Sequence, residues 1–170
     1  MFKELYSITP DFMDERQRNK LIVDNTINNK FTVPSKSDLG RDIKTIARKV
    51  NKECDWYFNL DRIESIKISC MPPIKYHQPT VLLEEPPENN TGHQQKQRKL
   101  ICFVKLNNDS ENIGGAGLII KTKLGTQELG KMGDLIIIPA FVPFMFLNYG
   151  ADPQSRLIYL MCIIRGLSFR

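Results

Sequence analysis

Residues 136–150 read IIIPAFVPFMFLNYG, with ten large apolar side chains, two prolines and no charge. A β-branched run that stops at Pro139, turns, and resumes at Phe144 predicts a strand, a sharp corner and a second strand. Two prolines and a short length exclude a transmembrane helix, which needs about 20 apolar residues. A corner of this kind in a β-rich chain is a common place for working residues, and this one carries Phe144 and Met145.

Outward from that corner, the chain alternates apolar runs with turn-forming segments. RIESIKISC (62–70) sets Ile66, Ile68 and Cys70 against Ser65, Lys67 and Ser69, the period of a strand with one buried face. TVLLEE (80–85), LICFVKLN (100–107), GLIIKTKL (117–124), DLIIIPAF (134–141), FMFLNY (144–149) and RLIYLMCIIRG (156–166) read as further strands. EPPENNTGHQQKQRK (85–99) reads as a long exposed loop, and GTQELGKMG (125–133) and GADPQS (150–155) as turns. Five to eight strands at this spacing imply a barrel or a two-sheet sandwich. The first third is helical instead. Asp11 or Asp14 is placed to cap a helix reaching about Asn28, after a short strand in FKELYSI. Leu39, Ile43, Ile46, Ala47 and Val50 form one stripe of an amphipathic helix, capped by Ser37 or Asp38, with Lys and Arg on its other face. The expectation is an α+β chain, mainly β. It forms a single domain over residues 1–170, helical over 1–60 and barrel-like over 61–170, with the helices packed on one sheet.

Composition agrees with an ordinary globular domain, 41% hydrophobic and 25% charged over 170 residues. No secretory signal is visible at the N-terminus, so a cytoplasmic location is expected, or a virion if the source is a phage. Cys54, Cys70, Cys102 and Cys162 include no C-x-x-C pair and read as buried reduced thiols. The net charge of +5 is scattered, densest in HQQKQRK (93–99). That cluster reads as a solvated loop, with a nucleic-acid patch as the weaker alternative because no aromatic residue interleaves it.

A further pattern runs through the second half. Arg98-Lys99-Leu100 opens a strand that Asn107 ends, and Gly114-Gly115 forms a turn. Gly133-Asp134 then precedes the strand ending at Pro139-Ala140, and Arg156 leads into the last strand. In order and spacing, over about residues 40 to 166, these motifs resemble the Fe(II)/2-oxoglutarate-dependent oxygenases, in their prolyl-4-hydroxylase-like branch. The resemblance implies a double-stranded β-helix, a jelly-roll barrel whose mouth holds iron and 2-oxoglutarate. It also implies a His-x-Asp on an early strand and a lone His on a late one. Two imidazoles and a carboxylate leave open positions on Fe(II) for 2-oxoglutarate and O₂. Arg156 matches the arginine that binds the far carboxylate of 2-oxoglutarate.

The departures from that pattern decide the functional expectation. The chain has two histidines, His77 and His93, and neither begins a His-x-Asp. The early motif falls near Pro79 and Val81, or, shifted by two residues, on His77 and Pro79. The late histidine falls on Phe144 or its neighbours, and no histidine follows residue 93. No catalytic residue, metal ligand or cofactor is therefore expected. Arg156 is a vestigial 2-oxoglutarate position or else a strand-end residue paired with Asp152 or Glu128. An improvised site from His77, Glu84, Glu85 or His93 is the alternative in a Pro-rich loop. No G-x-S-x-G, and no late histidine to serve as a base, supports nucleophilic catalysis. The expected role is a structural or protein-interaction module with protein partners, in a larger assembly or homo-oligomer and away from membranes. The Asn-, Lys- and Ile-rich composition points to a phage or viral particle. The alternatives are an atypical oxygenase and a metal-free binder of a small dicarboxylate.

Overall fold

The computed structural model describes residues 4–71, 96–107, 116–122, 125–148 and 156–167. The expected TVLLEE strand, together with Tyr76, His77, Pro79, Val81, Glu84, Glu85, His93 and Asp152, lies outside them.

Two helices form where capping chemistry and periodicity coincide. Helix α1 (Glu15–Thr26) begins at a capping box: Asp14 Oδ1 accepts the Gln17 N–H at 2.7 Å, and Gln17 Oε1 accepts the Asp14 N–H at 3.0 Å. Helix α2 (Asp38–Glu53) is capped by Ser37, whose Oγ accepts the Gly40 N–H at 3.2 Å, and it buries Ile43, Ala47 and Val50. No helix among the described residues is long and apolar enough to cross a membrane.

Nine strands are described: β1 (Ser7–Thr9), β2 (Thr32–Val33), β3 (Leu60–Met71), β4 (Lys96–Lys105), β5 (Ala116–Thr122), β6 (Gly125–Leu129), β7 (Leu135–Pro139), β8 (Phe144–Asn148) and β9 (Leu157–Leu167). They pair antiparallel in two sheets, ordered β1-β7-β4-β9-β3-β2 and β6-β5-β8. The 136–150 stretch joins the sheets, because β7 lies in the first and β8 in the second. At the corner the Val142 N–H donates to the Pro139 carbonyl at 3.0 Å and the Ala140 N–H to the Lys99 carbonyl at 2.9 Å.

Two apolar layers result. The first lies between the helices and the six-stranded sheet. It takes Ile43, Ala47 and Val50 of α2 with Leu100, Cys102, Val104, Leu135, Ile137, Ile158, Leu160, Cys162 and Ile164. The second lies between the sheets and takes the intervening residues of the same strands, Ile101, Phe103, Ile136, Ile138, Leu157 and Tyr159. Strand β7 is apolar at successive positions because both of its faces are covered. The result is a jelly-roll barrel with N-terminal helices on one sheet.

Three sequence expectations need correction. GTQEL is strand β6 rather than a turn; its first four residues are exposed at a sheet edge, so it carries little apolar signal. Residues 96–99 belong to β4 rather than to a solvated loop, since pairing with β9 and the carboxylate of Glu64 draw them into the sheet. Cys70 is exposed, next to the last residue of β3, although it is in phase with buried Ile66 and Ile68.

Candidate functional site

The space between the sheets is where an enzyme of this architecture would work, and among the described residues four aromatic rings line it. Phe103 on β4, Phe144 and Phe146 on β8 and Tyr159 on β9 point into it by strand alternation. Phe144 is 4% exposed. Its ring meets Phe103 edge-on at 5.0 Å and Phe146 at 5.8 Å; Phe146 lies 4.9 Å from Tyr159 and 5.6 Å from Phe103. These separations are those of favourable aromatic pairs.

Two polar groups enter the same interior. Tyr159 Oη accepts the Leu118 N–H at 3.1 Å, and burial pushes its phenol well above the ordinary range, reinforced by the negative charge of Glu128. Lys105 continues the Ile101, Phe103 alternation, pairs across the strands with Tyr159, and is 7% exposed. Burial lowers its ammonium pKa, and Glu128 on β6 opposes that shift. The sequence reading passed over Lys105, although its phase within LICFVKLN was the available signal.

Arg156 is exposed, one residue ahead of β9. Its carbonyl accepts Asn107 Nδ2–H at 2.6 Å while Asn107 Oδ1 accepts the Ile158 N–H at 2.8 Å. The residue that ends the "LN" motif therefore fixes the entry to β9. Strand alternation then sends Leu157 and Tyr159 inside the barrel and Ile158 and Leu160 toward the helices.

An iron facial triad does not fit these residues. Phe144 and Phe146, two of the side chains of β8 that line the interior, carry no nitrogen or oxygen donor. Among the described residues no cluster of three or more His, Cys, Asp or Glu gathers.

A second constellation spans β3, β4 and β9, six residues along β9 from Tyr159. Glu64 on β3 receives Arg98 through Nε at 2.9 Å and Nη2 at 2.7 Å, and Arg165 through Nε at 2.7 Å. The hydrogen bonds from Arg98, then those from Arg165, hold its carboxyl down at about 2 against the opposing effect of burial. The sequence reading missed this cluster, because its members lie 34 and 101 residues apart.

No protein-family model and no curated protein matches the sequence. Solved structures do match in fold. A viral collagen prolyl hydroxylase from Paramecium Bursaria Chlorella virus-1, in complex with 2-oxoglutarate, superposes with a TM-score of 0.71 at 14% identity, covering 98% of both chains. A prolyl-4-hydroxylase of Pseudomonas putida gives 0.68 at 12% identity, over 96% of this chain and 89% of that one. HygX of Streptomyces hygroscopicus, with nickel and 2-oxoglutarate bound, gives 0.58 at 10% identity, over 97% and 83%. The chain thus has the double-stranded β-helix fold of the prolyl-hydroxylase-like Fe(II)/2-oxoglutarate oxygenases.

Proposed function

We propose that this chain is a non-catalytic member of the oxygenase fold, used as a structural or protein-interaction module within a phage or viral particle. The observation that supports this reading is Phe144. A buried ring, packed edge-on against Phe103, stands in the region to which the oxygenase pattern assigns its last histidine. The chain supplies no histidine after residue 93 to replace it. Buried imidazoles and carboxylates without a metal cost free energy, so a scaffold gains stability by exchanging them for apolar side chains.

A second reading is a metal-free binder of a small dicarboxylate. Lys105 and Tyr159, paired on the interior face, favour it, with Arg156 as the third polar group at the entry to β9.

Protein purified anaerobically and supplied with Fe(II) and 2-oxoglutarate separates these readings. The scaffold reading expects no stoichiometric iron and no succinate; succinate formation would overturn it in favour of an atypical oxygenase. Saturable 2-oxoglutarate binding without metal, lost in Arg156→Ala or Lys105→Met, would establish the binder. Co-purification in a larger particle or a stable homo-oligomer is the positive result expected of the scaffold.

A further inference from the structure

Like charges directly opposite one another on adjacent strands destabilise a sheet. Here Arg62 of β3 stands opposite Arg165 of β9, and Arg165 stands opposite Arg98 of β4. Three arginines therefore form one row across three neighbouring strands. Glu64, the carboxylate among them, is engaged by Arg98 and Arg165.

This row adjoins an open concavity of about 630 Å³ lined by Ser35, Lys36, Lys44, Arg62, Glu64 and Arg165. Four cations thus converge on a space that contains one carboxylate, already bound. Arg62, Lys36 and Lys44 form no ion pair among the described residues.

Helix α2 extends the same charge outward. At 100° per residue, Arg41, Lys44, Arg48 and Lys52 fall within one stripe beside the buried Ile43, Ala47, Val50 face. The acids Asp42 and Glu53 fall outside that stripe, and Asp38 pairs with Arg41 at its start. From Lys44 to Lys52 it runs about 12 Å, and the concavity continues it to Arg62 and Arg165.

We infer that this surface binds the phosphate backbone of a nucleic acid. A compact phosphate would fill the concavity and leave Arg48 and Lys52 unused, whereas a strand carrying one phosphate per about 3.4 Å matches an extended track of cations. No aromatic side chain interleaves the helical stripe, so contact runs to the backbone and is independent of base sequence. This inference does not depend on whether the barrel interior is catalytic.

Fluorescence anisotropy with a mixed-sequence oligonucleotide, single-stranded and as its duplex, tests this in a salt series. The expected dependence of log K on log salt has a slope of about −3, corresponding to roughly four phosphates. Lys44→Ala with Arg48→Ala should make that slope shallower by about 2 and weaken binding at least about tenfold at low salt. Arg16→Ala with Lys20→Ala on α1 removes the same charge from another exposed surface and should change little. An equal loss in that control would reduce the effect to net charge and overturn the site. Absence of oligonucleotide binding, with saturable binding of inorganic triphosphate or of phosphatidylserine vesicles instead, would overturn the nucleic-acid assignment.

Discussion

Replacing Phe144 with alanine measures directly whether the barrel interior is a packed wall or a site. The ring is almost wholly buried and touches Phe103 and Phe146 at centroid separations of 5.0 and 5.8 Å. Removal loses the transfer free energy of the phenyl group and leaves a cavity, together costing about 3–5 kcal/mol. Each edge-to-face pair accounts for about 0.5–1.5 kcal/mol of the total beyond area burial. In urea, with a slope of about 2 kcal/mol per molar, the unfolding midpoint should fall by about 2 M at unchanged slope. Met145 is the internal reference. It is the half-buried neighbour on the same strand, and Met145→Ala should cost less than about 1 kcal/mol. If Phe144→Ala proves too unstable to measure, Phe144→Leu should still cost about 1–2 kcal/mol. A cost for Phe144→Ala no larger than that for Met145→Ala would refute the reasoning, because the ring would then border open space.

The other predictions concern charge, backbone approach and buried amides. Glu64 titrates at about 2 in the folded chain against an ordinary 4.5, so its contribution is present above 4.5 and disappears as pH falls toward 2. Stability of the native chain relative to Glu64→Gln should therefore narrow across that window; solvent screening of the partly exposed cluster limits the difference to about 1–2 kcal/mol. A difference independent of pH would show that the carboxylate is not held ionised. Gly166→Ala should cost more than about 2 kcal/mol or abolish folding, since a Cβ there would overlap the backbone carbonyl of Asn59, and a normal midpoint would contradict that packing. Asn25 and Asn51 are both buried, but Asn51 exchanges hydrogen bonds with the Phe58 N–H and carbonyl at 2.9 Å each, whereas Asn25 Nδ2 has no partner among the described residues. Asn25→Leu should accordingly stabilise by about 1 kcal/mol and Asn51→Leu destabilise by about 2, and effects of equal sign would refute the contrast.

Local rules exposed most of the fold in the sequence. Ser37 or Asp38 with the Leu39–Val50 stripe marked α2, Asp11 or Asp14 marked α1, and the apolar runs marked β3, β4, β5, β7, β8 and β9; the caps formed are Ser37 and Asp14. What stayed hidden depended on distant partners. Strand β6 shows four exposed residues at an edge, so GTQEL reads as a turn until β5 is beside it. Arg98 and Lys99 look like a solvated basic run until β9 and Glu64 are brought alongside. At the candidate site the sequence showed the missing histidine, because a count needs no geometry. It did not show the aromatic packing that lines the space, since Phe103, Phe144 and Tyr159 come from three strands.

The proposed scaffold role moves the search for function to the outside of the molecule. Most of that outside obeys the usual rules. Lys49 pairs with Glu53 and Arg41 with Asp38 along α2, and the edges β1, β2 and β6 are short. The arginine row across β3, β9 and β4 breaks them. It brings like charges into register near a concavity that contains further cations and a carboxylate already engaged. Substituting Arg62 with threonine would remove one opposed charge and keep a side chain suited to a strand, so stability alone favours the change. A sequence that keeps such a conflict is expected to do so where a ligand resolves it. On that argument, Arg62→Thr should stabilise the free protein while weakening its hold on a phosphate backbone. A variant that bound as tightly as before would leave the row without a function.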